Sequence, residues 1–554
     1  VIGIPIRQLL SGLILMSGLA AQDLSRLPDW ARPHAEALSR EPQPPQEADA
    51  WVLFDRTEVA YTGDGEIRTR RFRLVKVLAD RGADVAVFVI HGLGGKSSRV
   101  KRMKAWNLRP DGELTRLDED RIITVDNASQ AEASTDTLTA AVVPRVMKGS
   151  LVAFESLQVI QHPLGPIATA SVMEKYPIRR WELEVAKKEG WFTDLKRVEI
   201  LLDARHFEPW IQGLDLRQGQ GLAANAIPPI PKDELFHPNP HNVLPWALIR
   251  FLDPDLVGMT SWKTWDAHAT WMYQRYSEAF RPGSQPDLKG AGSLEALRQL
   301  CTWMARELHY KAVYLTPERG WVPLPADEVG RRQYGDCKDL ACFFLAHAQR
   351  VGFQPRPVLA RIVEGEVEEK DPPSPVFNHV ICALGLDRTL GLPAEVETAR
   401  GRFLLFDPTD RFTPLGKLGA HHRGRRLLVC TPEGGIWVEA PSQSIQESKV
   451  AILWTGDIEQ FGRMKARLRV QEQGSGWGLR EVTQVGGAPR LKAFLQERIF
   501  ELPPTAVLTI GAYTNPLNLE VPFDLELDIQ HPEGLKVSGN EGTLTGLGLR
   551  VIPA

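Results

Sequence analysis

The chain has 554 residues, with 66 basic against 69 acidic side chains and a formal net charge of −3 at pH 7. That length exceeds what one hydrophobic core usually organises, so about three domains of ordinary size are expected. The near balance of charge removes any bulk electrostatic case for nucleic acid or for an anionic membrane surface, so a partner has to be argued from a site.

At the start of the chain, Arg7 precedes a short apolar run over 9–19, and the small residues Gly18, Ala20 and Ala21 follow before Gln22. This pattern predicts a secretory signal peptide over 1–21, and with it an exported protein, periplasmic or secreted. Ser11 and Ser17 interrupt the run, and it is short for a bilayer. No later segment qualifies as a span, so no integral membrane segment is expected in the mature chain.

From Trp51 onward, 51–54, 72–78 and 85–90 read as short strands with turns at Gly63-Asp64-Gly65 and Pro110-Asp111-Gly112. Further strands are expected at 151–160 and 197–202, giving a β-rich, sandwich-like N-terminal domain over 25–235. The proline-rich passage 226–240 reads as a linker or long surface loop. Helical spacing follows in Trp262, Trp265, Ala269 and Met272, and again in Leu294, Leu297, Cys301, Met304 and Leu308. The tryptophans are read as core rather than as a ligand platform.

A further helix starts near Cys337, turns Leu340, Ala341, Phe344, Leu345 and Ala348 inward, and stops at Gly352. Strands at 356–363, 376–384 and 402–406 complete a central α+β domain over 236–440, with the thiol where helix leads into sheet. Alternation returns in Met464, Ala466, Leu468 and Val470 and in Phe523, Leu525, Leu527 and Ile529. Interrupted by one helical segment over 491–501, these strands predict a β-rich C-terminal domain over 445–554.

There are five cysteines, and an odd number in an exported protein leaves at least one thiol unpaired. No C-x-x-C pair and no D-x-D-x-D-G loop occurs, so neither a metal nor a cofactor is expected. Val89-Ile90-His91-Gly92-Leu93-Gly94-Gly95 resembles the oxyanion strand of an α/β-hydrolase, but the chain contains no G-x-S-x-G nucleophile elbow.

Cys337 stands apart because a cysteine at a helix N-terminus faces unpaired N–H groups and the positive end of the helix dipole, which favour thiolate. Asp336 can cap that helix, Gly335 permits a close backbone approach, and Lys338 and Asp339 are polar where a buried cysteine would have apolar neighbours. His379, in an apolar strand, reads by itself as a core histidine, and Asp407 before Pro408 reads equally as a strand-end turn residue. Among competing bases, His347 lies about 15 Å along the same helix, poorly placed, whereas spacing does not exclude His309.

Taken together, Tyr334-Gly335-Asp336-Cys337-Lys338-Asp339-Leu340-Ala341, Gly352-Phe353-Gln354-Pro355-Arg356-Pro357-Val358-Leu359, Phe377-Asn378-His379-Val380 and Phe406-Asp407-Pro408-Thr409 resemble the bacterial transglutaminase-like superfamily from about residue 255 to about 430. On its strand pattern and on 141–152, the preceding region resembles the domain of unknown function that often accompanies that superfamily in exported bacterial proteins. The resemblance implies a papain-like core with Cys337 as nucleophile, His379 as general base and then acid, and Asp407 as the orienting carboxylate. Acyl transfer from a protein or peptide amide, to water or to a second amine, would follow without a cofactor. For the oxyanion, papain-like enzymes use an upstream side-chain donor and transglutaminases a tryptophan; Gln333 and Trp321 are the nearest candidates, although Gln333 is closer to Cys337 than the papain pattern places its glutamine. The competing expectation is a catalytically silent transglutaminase-like scaffold, a protein-binding or assembly module between two β-rich domains.

Overall fold

Alternation of apolar and polar side chains makes sheets wherever one face can be buried, and among the described residues strands predominate over a few helices. The computed structural model describes residues 22–544 apart from 41–46, 63–65, 93–96, 118–121, 127–131, 134–136, 162–164, 187–197, 203–206, 212, 217–220, 232–242, 253–261, 291, 314–319, 363–364, 372, 374–375, 443–448, 475–477 and 539–540. The expected signal peptide and the Gly63-Asp64-Gly65 turn lie outside the described residues. No described helix is long and apolar enough to cross a membrane.

The chain divides into two compact units, the first formed by Val1–Trp271, Lys311–Val322 and Glu364–Val376. Its strands are β1 (Ala50–Tyr61), β2 (Glu66–Val77), β3 (Val87–Gly92), β4 (Ser98–Leu108), β5 (Leu114–Arg116), β6 (Ile122–Asp126), β7 (Thr137–Val142), β8 (Leu151–Gln161), β9 (Ile167–Ser171), β10 (Ile178–Val185), β11 (Val198–Leu202), β12 (Gly221–Ile227) and β13 (Trp246–Phe251). They form a seven-stranded sheet in the order β12-β10-β1-β2-β8-β4-β5 and two three-stranded sheets, β9-β13-β11 and β3-β7-β6, beside a short parallel pair of Glu132–Ala133 with Ala312–Val313. Both faces of β1 are covered: Val52, Val59 and Tyr61 join one apolar cluster and Trp51 and Leu53 another. The buried Asp55 is tolerated there because Arg71 donates to both its oxygens, at 3.0 and 2.6 Å, and Arg73 donates at 2.6 Å.

Helix α1 (Trp265–Ala279) contains the passage from the first unit to the second, which comprises Met272–Tyr310, Pro323–Val363 and Phe377–Ala554. Helices α2 (Leu294–Glu307), α3 (Ala326–Arg332) and α4 (Cys337–Arg350) come next. A six-stranded antiparallel sheet follows, built from β14 (Gln354–Ala360), β15 (His379–Leu386), β16 (Glu395–Thr398), β17 (Gly401–Phe406), β18 (Arg426–Thr431) and β19 (Gly434–Glu439) in the order β16-β17-β15-β14-β18-β19. A four-stranded sheet, β20 (Lys449–Ile458), β21 (Met464–Gln473), β23 (Phe523–His531) and β22 (Val507–Tyr513) in that spatial order, is covered on one face by helix α5 (Leu479–Phe494) and the π-turn Leu495–Ile499.

Helix α4 packs on β14 and β15 and is enclosed on every side. Besides the inward residues expected from periodicity, Cys342, Phe343, Ala346 and His347 are also buried, because the stretch is apolar around its whole circumference and belongs to a core helix. It ends as expected: Gly352, at φ 98°, adopts the left-handed conformation that lets Phe353 N–H reach the Ala348 carbonyl at 3.0 Å. The helical segment expected over 491–501 begins much earlier, at Leu479. Gly486, Gly487 and Pro489 hide its first half from a periodicity argument, and Gly487 is indeed non-helical, at φ 61°.

Phe344 is fully buried on α4 and packs on Phe406 of β17, ring centroids 4.8 Å apart, so it ties the helix to the strand that leads to Asp407. Phe344→Ala should cost about 3–5 kcal/mol. The measurement is hydrogen exchange of the α4 amides under mild denaturant, with faster exchange as the expected outcome.

Candidate active site

Antiparallel pairing sets where the site residues fall. His379 is the first residue of β15 and Asp407 directly follows the last residue of β17; the register pairs Cys382 with Phe406, so both project from the same end of neighbouring strands. Asn378 fixes the entry to β15 by using its side chain as a further rung of the ladder, accepting from Ile362 N–H and donating to the Ile362 carbonyl, each at 2.8 Å. Cys337 opens α4, which packs across these strands, and its side chain is partly exposed.

The turn before the thiol is built from buried polar groups. Asp336 caps α4 by accepting from Asp339 N–H at 3.3 Å and also pairs with the buried Lys338 ammonium. Asp339 in turn accepts from Leu324 N–H at 2.9 Å. A β-carbon on Gly335 would lie 2.5 Å from Asp339 Cβ, so glycine is required for this close approach. Lys338 and Asp339, at 3% and 1% exposure, are therefore an internal polar scaffold rather than a solvated flank.

The Asp407 carboxylate, 1% exposed, receives four donors. Oδ1 accepts from Thr409 N–H at 2.9 Å and from the Thr409 hydroxyl at 2.7 Å; Oδ2 lies 2.8 Å from Nε2 of His379 and 2.8 Å from Nε2 of His422. This uses about the full accepting capacity of a carboxylate. Burial alone would push its pKa up, but the facing His379, with His421 and His422, outweighs it and holds the carboxyl well below the ordinary range. His421 contributes from 3.7 Å, a longer contact than a hydrogen bond.

His379 shows the complementary shift. Burial opposes its charged form, yet Asp407 and, to a lesser extent, the Cys337 sulfur push it up to about 10. With Nε2 held by the carboxylate, Nδ1 is the ring nitrogen left to interact with the Cys337 sulfur. Stability from the raised His379 is fully present below its ordinary value near 6.5 and is lost as pH rises through about 10. Stability from the depressed Asp407 is lost as pH falls below the ordinary carboxylate range.

Sulfur, imidazole and carboxylate thus meet in one cluster, in the order expected from the motifs. The two proposed oxyanion donors do not have comparable settings. Gln333 terminates α3 in the left-handed conformation, φ 60°, with an exposed side chain, and Trp321 belongs to the first compact unit, buried, its indole N–H without a partner. His347 is a core residue against Phe343, and burial pushes it down to about 3. His309 is exposed; its backbone pairs with Tyr334 and donates to the Gln333 carbonyl at 2.9 Å.

Sequence reasoning missed His421 and His422. The doublet was visible, but it lies in a short 3-10 turn between Asp407 and β18, and loop spacing carries no geometry. His379, Asp407 and His422 also form a set able to hold a metal ion, their ligand atoms within 4.8 Å of one another. Both nitrogens sit 2.8 Å from a single oxygen, whereas ligands on one tetrahedral zinc lie about 3.3 Å apart, so the spacing is that of hydrogen bonds. All five thiols are free, and Cys337 alone is not fully buried. Burial pushes the pKa of Cys301, Cys342, Cys382 and Cys430 up.

In Asp407→Asn, His379 loses its charged partner while its burial remains, so its pKa should fall from about 10 to below 6.5. Histidine Cε1–H titration by NMR checks this. The stability deficit of the variant should be widest near neutrality and should narrow above about pH 10, where the wild-type contribution also vanishes.

No family model matches the sequence, and no curated protein matches it. Among solved structures, a "putative protease" from Parabacteroides distasonis is similar over 88% of this chain and 94% of its own, at 10% identity and a TM-score of 0.50. A "putative cysteine protease" from Cytophaga hutchinsonii aligns over 62% of this chain and 76% of its own at 9% identity, and an M1 zinc metallopeptidase from Deinococcus radiodurans over 42% and 53% at 11%. Their TM-scores, 0.15 and 0.19, are too low to carry an argument. The first likeness, at its low identity, speaks to fold alone: this chain shares the fold of that Parabacteroides protein.

Proposed function

We propose that this chain is an exported, thiol-dependent acyl-transfer enzyme of transglutaminase-like type, acting on amide bonds of proteins or peptides through Cys337, His379 and Asp407. The observation that supports the reading is the 2.8 Å contact of the His379 imidazole with the buried Asp407 carboxylate at the end of one sheet, with the Cys337 sulfur acting on the same imidazole. The shared fold with a protein described as a "putative protease" agrees with it.

An imidazolium beside a thiol favours the thiolate, the nucleophilic form. Cys337 Sγ attacks the amide carbonyl to give a tetrahedral oxyanion, which the backbone N–H of Cys337, in the first turn of α4, would receive. His379 passes its Nδ1 proton to the departing amine, leaving a thioester on Cys337. Water or a second amine then attacks the thioester, giving its proton to His379 and restoring the thiolate–imidazolium pair. Asp407 keeps Nε2 protonated and the ring oriented throughout. Part of the upward push on His379 comes from the sulfur, so acylation removes that part and makes the imidazolium a stronger acid when the amine must leave.

The test uses fluorogenic peptide amides, with dansylcadaverine as the competing acceptor. Cys337→Ala and His379→Ala should each lose about 10³-fold or more in turnover. Dansyl incorporation into protein substrate marks transamidation; release of free acid marks hydrolysis. Wild-type turnover persisting in Cys337→Ala would sink the proposal.

A further inference from the structure

The reading above uses one of the two imidazoles bonded to Asp407. His422 is fully buried, donates through the same kind of nitrogen to the same oxygen, and stacks at 5.7 Å from the His379 ring. Its Nδ1 is buried without a partner. A neutral imidazole carries one N–H, so the tautomer consistent with this environment bears it on Nε2 and donates it to Asp407. The titratable groups that act on His422 are Asp407, His421 and His379, and burial dominates, pushing its pKa down and keeping it a neutral donor.

We infer that His422 is a positioning residue for the thiol–imidazole pair: by donating to Asp407 Oδ2 it shares the charge of the oxygen that holds His379, and so limits how tightly His379 retains its proton. The inference rests on the acyl-transfer reading and deepens it. A carboxylate facing a single imidazole concentrates its charge on that bond and strengthens the imidazolium. A proton acid and base works best when its pKa lies near the working pH, and His379, at about 10, is already on the high side. Removing a donor from Asp407 moves it further the wrong way. The carboxylate itself stays in place without His422, because Thr409 anchors Oδ1 through two hydrogen bonds. The effect of His422 is therefore on the proton and not on the presence of the pair.

The experiment is the pH dependence of Cys337 alkylation by iodoacetamide in the full chain, which the burial of the other four thiols makes selective. In the active pair the rate follows two inflections, a lower one for thiolate formation and an upper one where His379 loses its proton. His422→Gln can place an amide N–H near the position of Nε2, whereas the shorter His422→Asn cannot reach Oδ2 and His422→Leu has no donor. The upper inflection should rise by about one pH unit in His422→Asn and His422→Leu and return to the wild-type value in His422→Gln. Comparing two amides of like polarity keeps the result decisive where leucine disturbs packing. Superimposable curves for wild type and His422→Asn, or a glutamine variant that shifts with the asparagine one, overturn the inference alone. A wild-type protein whose Cys337 reacts along a single, ordinary thiol titration overturns the acyl-transfer reading and this inference with it.

Discussion

A single buried carboxylate organises the candidate site. Asp407 carries a charge into the interior, where an unpaired ion costs several kcal/mol, and it is tolerated because four donors converge on its two oxygens. Those donors come from three places in the chain: the first residue of β15, the turn directly after Asp407, and the loop before β18. Satisfying one charge therefore fixes the end of the sheet, the imidazole that faces Cys337 and the loop carrying His421 and His422. The constraint is electrostatic, but its consequence is positional.

The thiol side is held by a separate polar set. Asp336, Lys338 and Asp339 are buried around the first turn of α4, and Gly335 allows the chain to pass against Asp339. This scaffold leaves Cys337 partly exposed while α4 itself is enclosed by apolar packing. A partly exposed cysteine thus sits at the start of a well-packed helix, a setting that would suit the nucleophile of the proposed acyl transfer.

How much of this could be read from the sequence depended on the range of the interaction. The strands in 51–54, 72–78, 464–470 and 523–529 were legible because period-2 alternation is a local signal, and Asp336 and Gly352 marked the ends of α4 through local capping chemistry. Circumferential burial of α4 was not legible, since periodicity identifies a face only where a polar face contrasts with it. The C-terminal helix was half hidden by Gly486, Gly487 and Pro489, which lower propensity without preventing a kinked helix. Cys337, His379 and Asp407 could be singled out together because motif order supplied what spacing could not. His422 was missed for the same reason: it is joined to Asp407 only by a tertiary hydrogen bond, and nothing in its neighbours announces it.

The central claim is that Cys337 and His379 work as an acylating pair, and acylation leaves a covalent trace. Mixing the protein with a peptide p-nitrophenyl ester near neutral pH and quenching in acid allows the adduct to be located by intact and peptide mass spectrometry. The account predicts stoichiometric thioester at Cys337 in the wild-type chain, formed far more slowly in His379→Ala and absent in Cys337→Ala. An adduct at any other residue, or equal acylation of Cys337 in wild type and His379→Ala, would contradict it.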